Sequence, residues 1–422
     1  MKQNIQNFFE FIKEGPSCFH VIENVKKQLL NAGFCELKEN RQWKLEPGKK
    51  YYVVRNESSM IAFGVPECEI KGFRVTASHS DSPTFRIKEN PQIQVEKHYV
   101  KLNTEKYGGM ILNTWMDRPL SVAGRLMIQE KGEIKSVLVN VDRDLLMIPN
   151  LAIHMSDRNH KELNPQVDLL PLFSGASKDD DGFLKLISRQ AGIEPEQILA
   201  YDLFLYNRME GTVLGENEEF IAAPKLDDLE CAYASMQALI AADSKNHISM
   251  CCIFDNEEVG SATKQGAGST FLPEVMERIY NALGKTREEF FMGIADSFMI
   301  SADNAHAVHP NYAEKTDPSN RTYLNEGIVI KYNAAQKYTT DAPSAAVMKM
   351  ICKRAKVPYQ MFFNRSDVLG GSTLGNILTG QVSMKSVDIG LPQLAMHSSY
   401  EMAGSKDLES MIKVLKEFYR EG

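Results

Sequence analysis

The residues of this chain whose types and spacing suit chemistry fall in five short clusters. The densest is CCIFDNEEVGS, residues 251 to 261. The apolar run Ile248 to Phe254 reads as a fully buried strand. It ends in Asp255, Asn256, Glu257 and Glu258, and Gly260 then turns the chain. In α/β sheets, ligands bind beyond the carboxyl ends of strands. Two adjacent carboxylates at such a place lose hydration and repel each other, and a divalent cation is the usual counter-charge. Neighbouring residues leave a strand end in different directions. One glutamate can therefore hold a metal while the other faces a water as general base. The plain alternative is a solvated acidic turn after an ordinary strand.

Four further clusters bear on that choice. His79 and Asp81, in SHSDSP, end the β-like run 72–78. An H-x-D pair there puts both side chains on one face, where the aspartate can fix the histidine tautomer for a metal. Asp227 and Asp228, in PKLDDLE, precede a helical pattern. They serve either as helix caps or, through one carboxylate, as a bridge between two ions. Asp303, in ISADNAHAVHPNY, follows another apolar run, and His306 and His309 beside it read equally well as structural. His397, in LAMHSSYEMAG, follows the run Ile389 to Met396 and taken alone suits a core histidine. Taking one ligand from each cluster, these sites offer two histidines and three carboxylates beside strand or helix ends. That set fits a dinuclear centre of nitrogen and oxygen ligands without thiolate. Such centres serve phosphatases, nucleases and aminopeptidases alike.

The elements that must position these groups follow an interrupted α/β pattern. Residues 1–32 read as a helix ended by Gly33, and β-like runs follow at 51–55, 60–65 and 72–78. From residue 85 to 221 the chain is rich in short β-like runs, at 93–95, 120–129 and 136–141, with a Gly108–Gly109 turn. Alternation then resumes. Helices are expected at 227–242, 271–283, 344–355, 373–378 and 407–419, and strands at 248–254, 298–300, 328–332, 359–363 and 386–389. With 422 residues, more than one core is needed. The expected fold is α/β: a three-layer α/β/α catalytic domain with a mixed sheet, formed by residues 1–84 and 222–422, with a β-rich domain inserted at 85–221.

Composition narrows the function classes. A net charge of -7 argues against nucleic acid as a partner. No apolar run reaches the ~20 residues that span a bilayer, and the first residues lack a signal core. The seven cysteines, Cys18, Cys35, Cys68, Cys231, Cys251, Cys252 and Cys352, form no C-x-x-C pair. They read as reduced thiols of a cytoplasmic protein.

The order of the motifs is more specific than their residue types. H-S-D, L-D-D, N-E-E-V-G-S, S-A-D-x-A-H-A-V-H-P-N-Y and A-M-H-S, with ILNTWMDRPLSVAGR and IPNLAIHM between them, resemble the aspartyl and vacuolar aminopeptidase family of dinuclear zinc peptidases. The resemblance covers nearly the whole chain. It implies that His79 and Asp303 bind one ion, that Glu258 and His397 bind a second, and that Asp227 bridges them. It further implies that Asp81 orients His79 and that Glu257 is the general base, acting on a metal-bridging water. Two divalent ions per subunit follow, zinc foremost, with cobalt and manganese compatible with the same donors. The insert would serve dimerisation, and the dimers would build a homo-dodecamer acting on peptides. Two positions depart from the family pattern: Asn304, commonly methionine, and Asn150, often histidine. Lys331, ending the run Ile328 to Ile330, either snorkels to solvent, pairs with the site's own carboxylates, or receives the side chain of an N-terminal Asp or Glu. Aspartyl members carry a lysine in a matching V-I-K-x-N stretch. His154, in LAIHM, matches a histidine those relatives supply from a neighbouring subunit. The expectation adopted is an aminopeptidase preferring Asp or Glu, because Lys331 otherwise lacks an assigned counter-charge. The competing readings are a neutral or broad aminopeptidase, a dinuclear carboxypeptidase or deacylase, and a non-catalytic scaffold.

Overall fold

A buried strand explains the unbroken apolar run before Glu257: every residue of His247–Phe254 is shielded from solvent. This computed structural model describes residues 2–155, 162–175, 181–243 and 245–420. His247–Phe254 lies inside a nine-stranded mixed sheet. The strand order is Cys35–Leu37, Lys50–Arg55, Ser59–Gly64, His247–Phe254, Gly72–His79, Phe298–Ala302, Lys385–Gly390, Ile328–Tyr332 and Tyr359–Phe363. The four strands at its centre, from His247–Phe254 to Lys385–Gly390, run parallel. Phe254 lies opposite His79 and Ala302 opposite Ile389, so these strands end level with one another. The segments that follow them, carrying the acidic pair, Asp81, Asp303 and His397, thus leave from one edge.

Alternating side chains divide the core in two, as the period of a strand requires. Cys251, Ile253, Ile300, Val387 and Ile389 pack on one face against helices Lys2–Glu14, Cys18–Asn31, Leu226–Ile240, Ala342–Ala355 and Asp407–Arg420. Met250, Cys252, Phe254, Phe73, Val75 and Met299 pack on the other, against Phe271–Ala282, Arg287–Asp296 and Leu374–Gln381. The three-layer α/β/α expectation is met. The single helix expected over 1–32 is two helices, because Gly15 and Pro16 stand between them. A Cβ at Gly15 would come within 2.8 Å of Val21, so the turn closes on the next helix. The helix Arg287–Asp296 was not expected. Its weak apolar periodicity hides it, whereas its capping box, Thr286 with Glu289, was the readable signal.

The intervening segment forms a separate, all-antiparallel sheet of six strands: Glu133–Asn140, Leu120–Glu130, Ile198–Asn207, Thr84–Val95, Tyr99–Tyr107 and Leu172–Gly175. Helix Gly182–Ala191 covers its core through Phe183 and Ile187. The expected return to the α/β portion near residue 221 falls inside the strand Phe220–Ala223. That strand pairs with Glu401–Gly404, and the last strand of the six-stranded sheet ends at Asn207.

A third sheet does the local positioning. It joins Thr212–Leu214, Phe220–Ala223, Glu401–Gly404, Pro392–Leu394 and Ala305–His306. Phe220–Ala223 leads into Asp227, Ala305–His306 follows Asp303, and the remaining pair flanks His397. Three segments distant in sequence are thereby hydrogen-bonded together beside the main sheet. Among the described residues, no helix is long and apolar enough to cross a membrane.

Candidate metal centre

At the carboxyl edge of the central strands, four side chains converge around Asp227. Its Oδ1 lies 3.7 Å from His79 Nε2, and its Oδ2 lies 3.5 Å from His397 Nε2. His397 Nε2 is also 3.3 Å from Glu258 Oε2. Two sets of donor atoms each gather within 4.8 Å: His79, Asp227 and Asp303, and Asp227, Glu258 and His397. A third set of the same span joins His79, Glu257 and Glu258. Asp227 belongs to the first two, and no other residue belongs to both.

The donor chemistry fits divalent cations. Asp227 Oδ1 and Glu258 Oε1 are buried without a hydrogen-bond partner, which is costly unless a cation faces them. The charges are unbalanced too. Burial, reinforced by Asp303, Asp81 and Asp227 and opposed by His79, pushes the Glu257 carboxyl up to about 8. Burial and then Asp227 hold Glu258 well above the usual carboxylate range. Burial pushes Asp303 up to about 6, although Lys331 opposes it. For Asp227, burial acts against the charged form, but His397 and His79 outweigh it and keep the carboxyl below its ordinary value. Burial likewise opposes the charged form of His79, yet Asp227 and Asp81 raise it well above the ordinary histidine value. Two histidines cannot neutralise this many buried acids, whereas divalent ions can.

A ring of buried polar groups fixes the backbone under these donor groups. Asp81 accepts the N–H of Glu257 at 3.1 Å and of Glu258 at 3.2 Å. The expected contact from Asp81 to His79 is made chiefly by its carbonyl, 3.0 Å from His79 Nδ1, with the carboxylate at 3.4 Å. Asp228 is not a helix cap. Its Oδ2 accepts the N–H of His79 at 3.2 Å, and the backbone at Asp227 and Asp228 is not helical. Glu401 accepts the N–H of Asp227 at 3.0 Å and of His397 at 2.8 Å. Asn304, next to Asp303, donates to Gln393 at 2.8 Å and to the Leu226 carbonyl at 3.1 Å. Glu401 escaped sequence reasoning, as did the backbone-accepting role of Asp228 and the hydrogen bonds of the Asn304 side chain. For Glu401, the one available signal is an acid four residues beyond His397.

The remaining sequence candidates lie outside the donor sets. Lys331 does have a counter-charge: its Nζ is 3.8 Å from Asp303 Oδ1 and donates to the Asn304 carbonyl at 3.0 Å. The lysine therefore does not lack a partner, and it steadies the Asp303 segment. His309 Nδ1 accepts the N–H of Asn311 at 3.1 Å, and the His306 ring packs edge-on to Phe362. His154 is exposed and belongs to none of the donor sets. Asn150 binds Asp117 through both its backbone and its side chain.

Residues 11–419 match the family described as aminopeptidase I zinc metalloprotease (M18). The chain is 47% identical over 423 residues to a probable M18 family aminopeptidase 2 of Clostridium acetobutylicum, covering 98% of each chain. It superimposes on Chaetomium thermophilum mApe1 with a TM-score of 0.89 at 31% identity, over 98% of this chain and 96% of the other. The S. cerevisiae mApe1 dodecamer gives 0.87 at 29% identity, over 98% and 95%.

Proposed function

This chain belongs to the aminopeptidase I zinc metalloprotease family, M18, and from that membership we propose a two-ion site in which Asp227 is the bridge and Glu257 the general base. The protein is a zinc metallo-aminopeptidase, a peptide hydrolase. His79, Asp227 and Asp303 would hold one ion, and Asp227, Glu258 and His397 the other. The single observation that carries this reading is that Asp227 alone is shared by those two donor sets. When bound, the ions polarise the scissile carbonyl and lower the pKa of water.

The protein's own groups supply the proton transfers. Glu257 takes the proton of the attacking water and returns it to the leaving amine. Its side chain is not engaged with His397, whereas that of Glu258 is, which supports giving the base role to the first of the pair. Asp81 orients His79 and holds the two glutamate amides, so base and ligand keep a fixed separation. The test is a pair of peptides differing only at the N-terminus, assayed on zinc-reconstituted protein. Free-amine peptides are expected to be cleaved and N-acetylated ones to resist. Preferential cleavage of the blocked peptide would point to the deacylase alternative, and no turnover of either to a scaffold.

The finer reading is a preference for N-terminal Asp or Glu, carried by Lys331 with His154 from a neighbouring subunit. Its support is now only the position of Lys331, a buried cation beside Asp303. Because Lys331 also steadies Asp303, Lys331→Met is expected to slow all substrates. The acidic preference predicts an extra loss in kcat/KM of ~1.5–3 kcal/mol for Asp and Glu peptides over Leu peptides. Equal losses across the panel would leave a general aminopeptidase and a purely structural lysine. The exposed apolar side chains around His154, with Ile153 at 77% and Met155 at 73%, support an oligomer contact made by the insert. A homo-dodecamer, as in the S. cerevisiae relative, is the assembly we propose. Seven free cysteines suit the cytoplasm.

A further inference from the structure

The inserted β-rich segment reaches the candidate metal centre within its own chain. Its strand Tyr99–Tyr107 ends beside the acidic loop. The Tyr107 hydroxyl donates to Asp81 Oδ2 at 2.7 Å and accepts from Asn256 Nδ2 at 2.8 Å. Beyond it, a Cβ on Gly108 would stand 3.1 Å from Glu258 Cβ, so the chain passes in direct contact with that residue. The N–H of Ile111 then bonds the His397 carbonyl at 3.0 Å. We propose that Tyr107 is a positioning residue for the metal centre, through which the inserted segment sets the geometry of the Glu257–Glu258 loop.

The chain of contacts is short. Asp81 is held by Tyr107 on one side and itself holds the Glu257 and Glu258 amides. Asn256, whose φ of 62° is left-handed, is locked on both faces. Its amide nitrogen binds Tyr107, and its oxygen accepts from Thr263 at 2.8 Å and Gln265 at 2.7 Å. Removing the hydroxyl leaves one Asp81 oxygen and the Asn256 amide short of a partner at the start of the loop that carries base and ligand. Burial and then Asp81 raise the phenol pKa, so the hydroxyl stays protonated and keeps donating. The ring is held separately, edge-on to Phe204 at 5.7 Å, so phenylalanine would keep the packing and lose only the two hydrogen bonds.

This inference rests on the metallo-aminopeptidase reading, and the wild-type protein tests that reading first by its own turnover. Tyr107→Phe is then compared with wild type for kcat, KM, zinc affinity by chelator competition, and thermal unfolding. Partners of metal-binding side chains typically contribute 10–100-fold to affinity or activity. The expected result is a kcat lower by about 10–100-fold, KM within about twofold, and weaker zinc binding, with the unfolding temperature little changed. Asn256→Gly, which tolerates the left-handed backbone, should move kcat and zinc affinity in the same direction, and it decides the matter if Tyr107→Phe does not fold. An unchanged kcat and zinc affinity, or a loss confined to KM, in the folded variant would overturn the proposal.

Discussion

Glu257→Gln is expected to lower kcat by ~10²–10⁴ while zinc content stays at the wild-type level, because general-base loss has that magnitude. Glutamine keeps the volume of the side chain and the backbone N–H that Asp81 accepts, so the loop has no reason to move. What it loses is the capacity to take a proton from water and pass it to the leaving amine. Geometry leaves a competing assignment in view, since Glu257 also falls in a donor set with His79 and Glu258. Metal content separates the two. A base can be neutralised without emptying the site, whereas a ligand cannot. Zinc measured by atomic absorption alongside the rate therefore tests the role directly, and parallel loss of zinc and activity would reassign Glu257 as a ligand. Burial foremost, then the neighbouring carboxylates against the pull of His79, push its carboxyl up to about 8. Cations bound nearby pull that value down, which favours the ionised form a base needs.

The parts legible in sequence were those in which one strand carries both its own signal and its chemistry. The buried run Ile248 to Phe254 announced a strand, and its level register with His79 follows from parallel pairing. Pairing order itself was not legible. Nothing in residues 220–223, 305–306, 392–394 and 401–404 marks them as one sheet, because two- to four-residue strands carry too little periodicity to read. Yet that sheet ties together the segments holding Asp227, Asp303 and His397. The supporting carboxylates were hidden for a related reason. Asp228 and Glu401 act by accepting backbone N–H groups, and any segment supplies those, so no motif betrays the pairing. Asp227 and Asp228 together looked like a helix start because aspartate is a good cap. Only the tertiary fold turns one towards two histidines and the other towards the His79 backbone. Lys331 shows the limit from another side. A buried cation requires a partner, but sequence does not choose between the site's own carboxylates and a substrate, and only the fold brings Asp303 within 3.8 Å of it.

That division of labour between adjacent aspartates makes the second large prediction. Asp227→Ala is expected to empty the site of both ions, whereas His397→Ala is expected to lose chiefly one. Asp227 is common to the donor sets containing Asp303 and His397, so deleting it leaves each with two side chains, too few for a tight tetrahedral zinc. Deleting His397 weakens only the set it shares with Glu258 and leaves His79, Asp227 and Asp303 together. Zinc stoichiometry after dialysis against metal-free buffer reads this directly. Unfolding temperature reads it again without turnover, because an ion bound only to the folded state stabilises by mass action. Added zinc should raise the unfolding temperature of wild type, raise that of His397→Ala less, and leave Asp227→Ala nearly unmoved. Asp228→Ala is the informative neighbour. It removes the acceptor for the His79 N–H but none of the donor atoms, so it should weaken zinc binding without abolishing it. Equal stoichiometry in the Asp227 and His397 variants would refute the bridge. Loss of both ions in Asp228→Ala with retention in Asp227→Ala would move it one residue along.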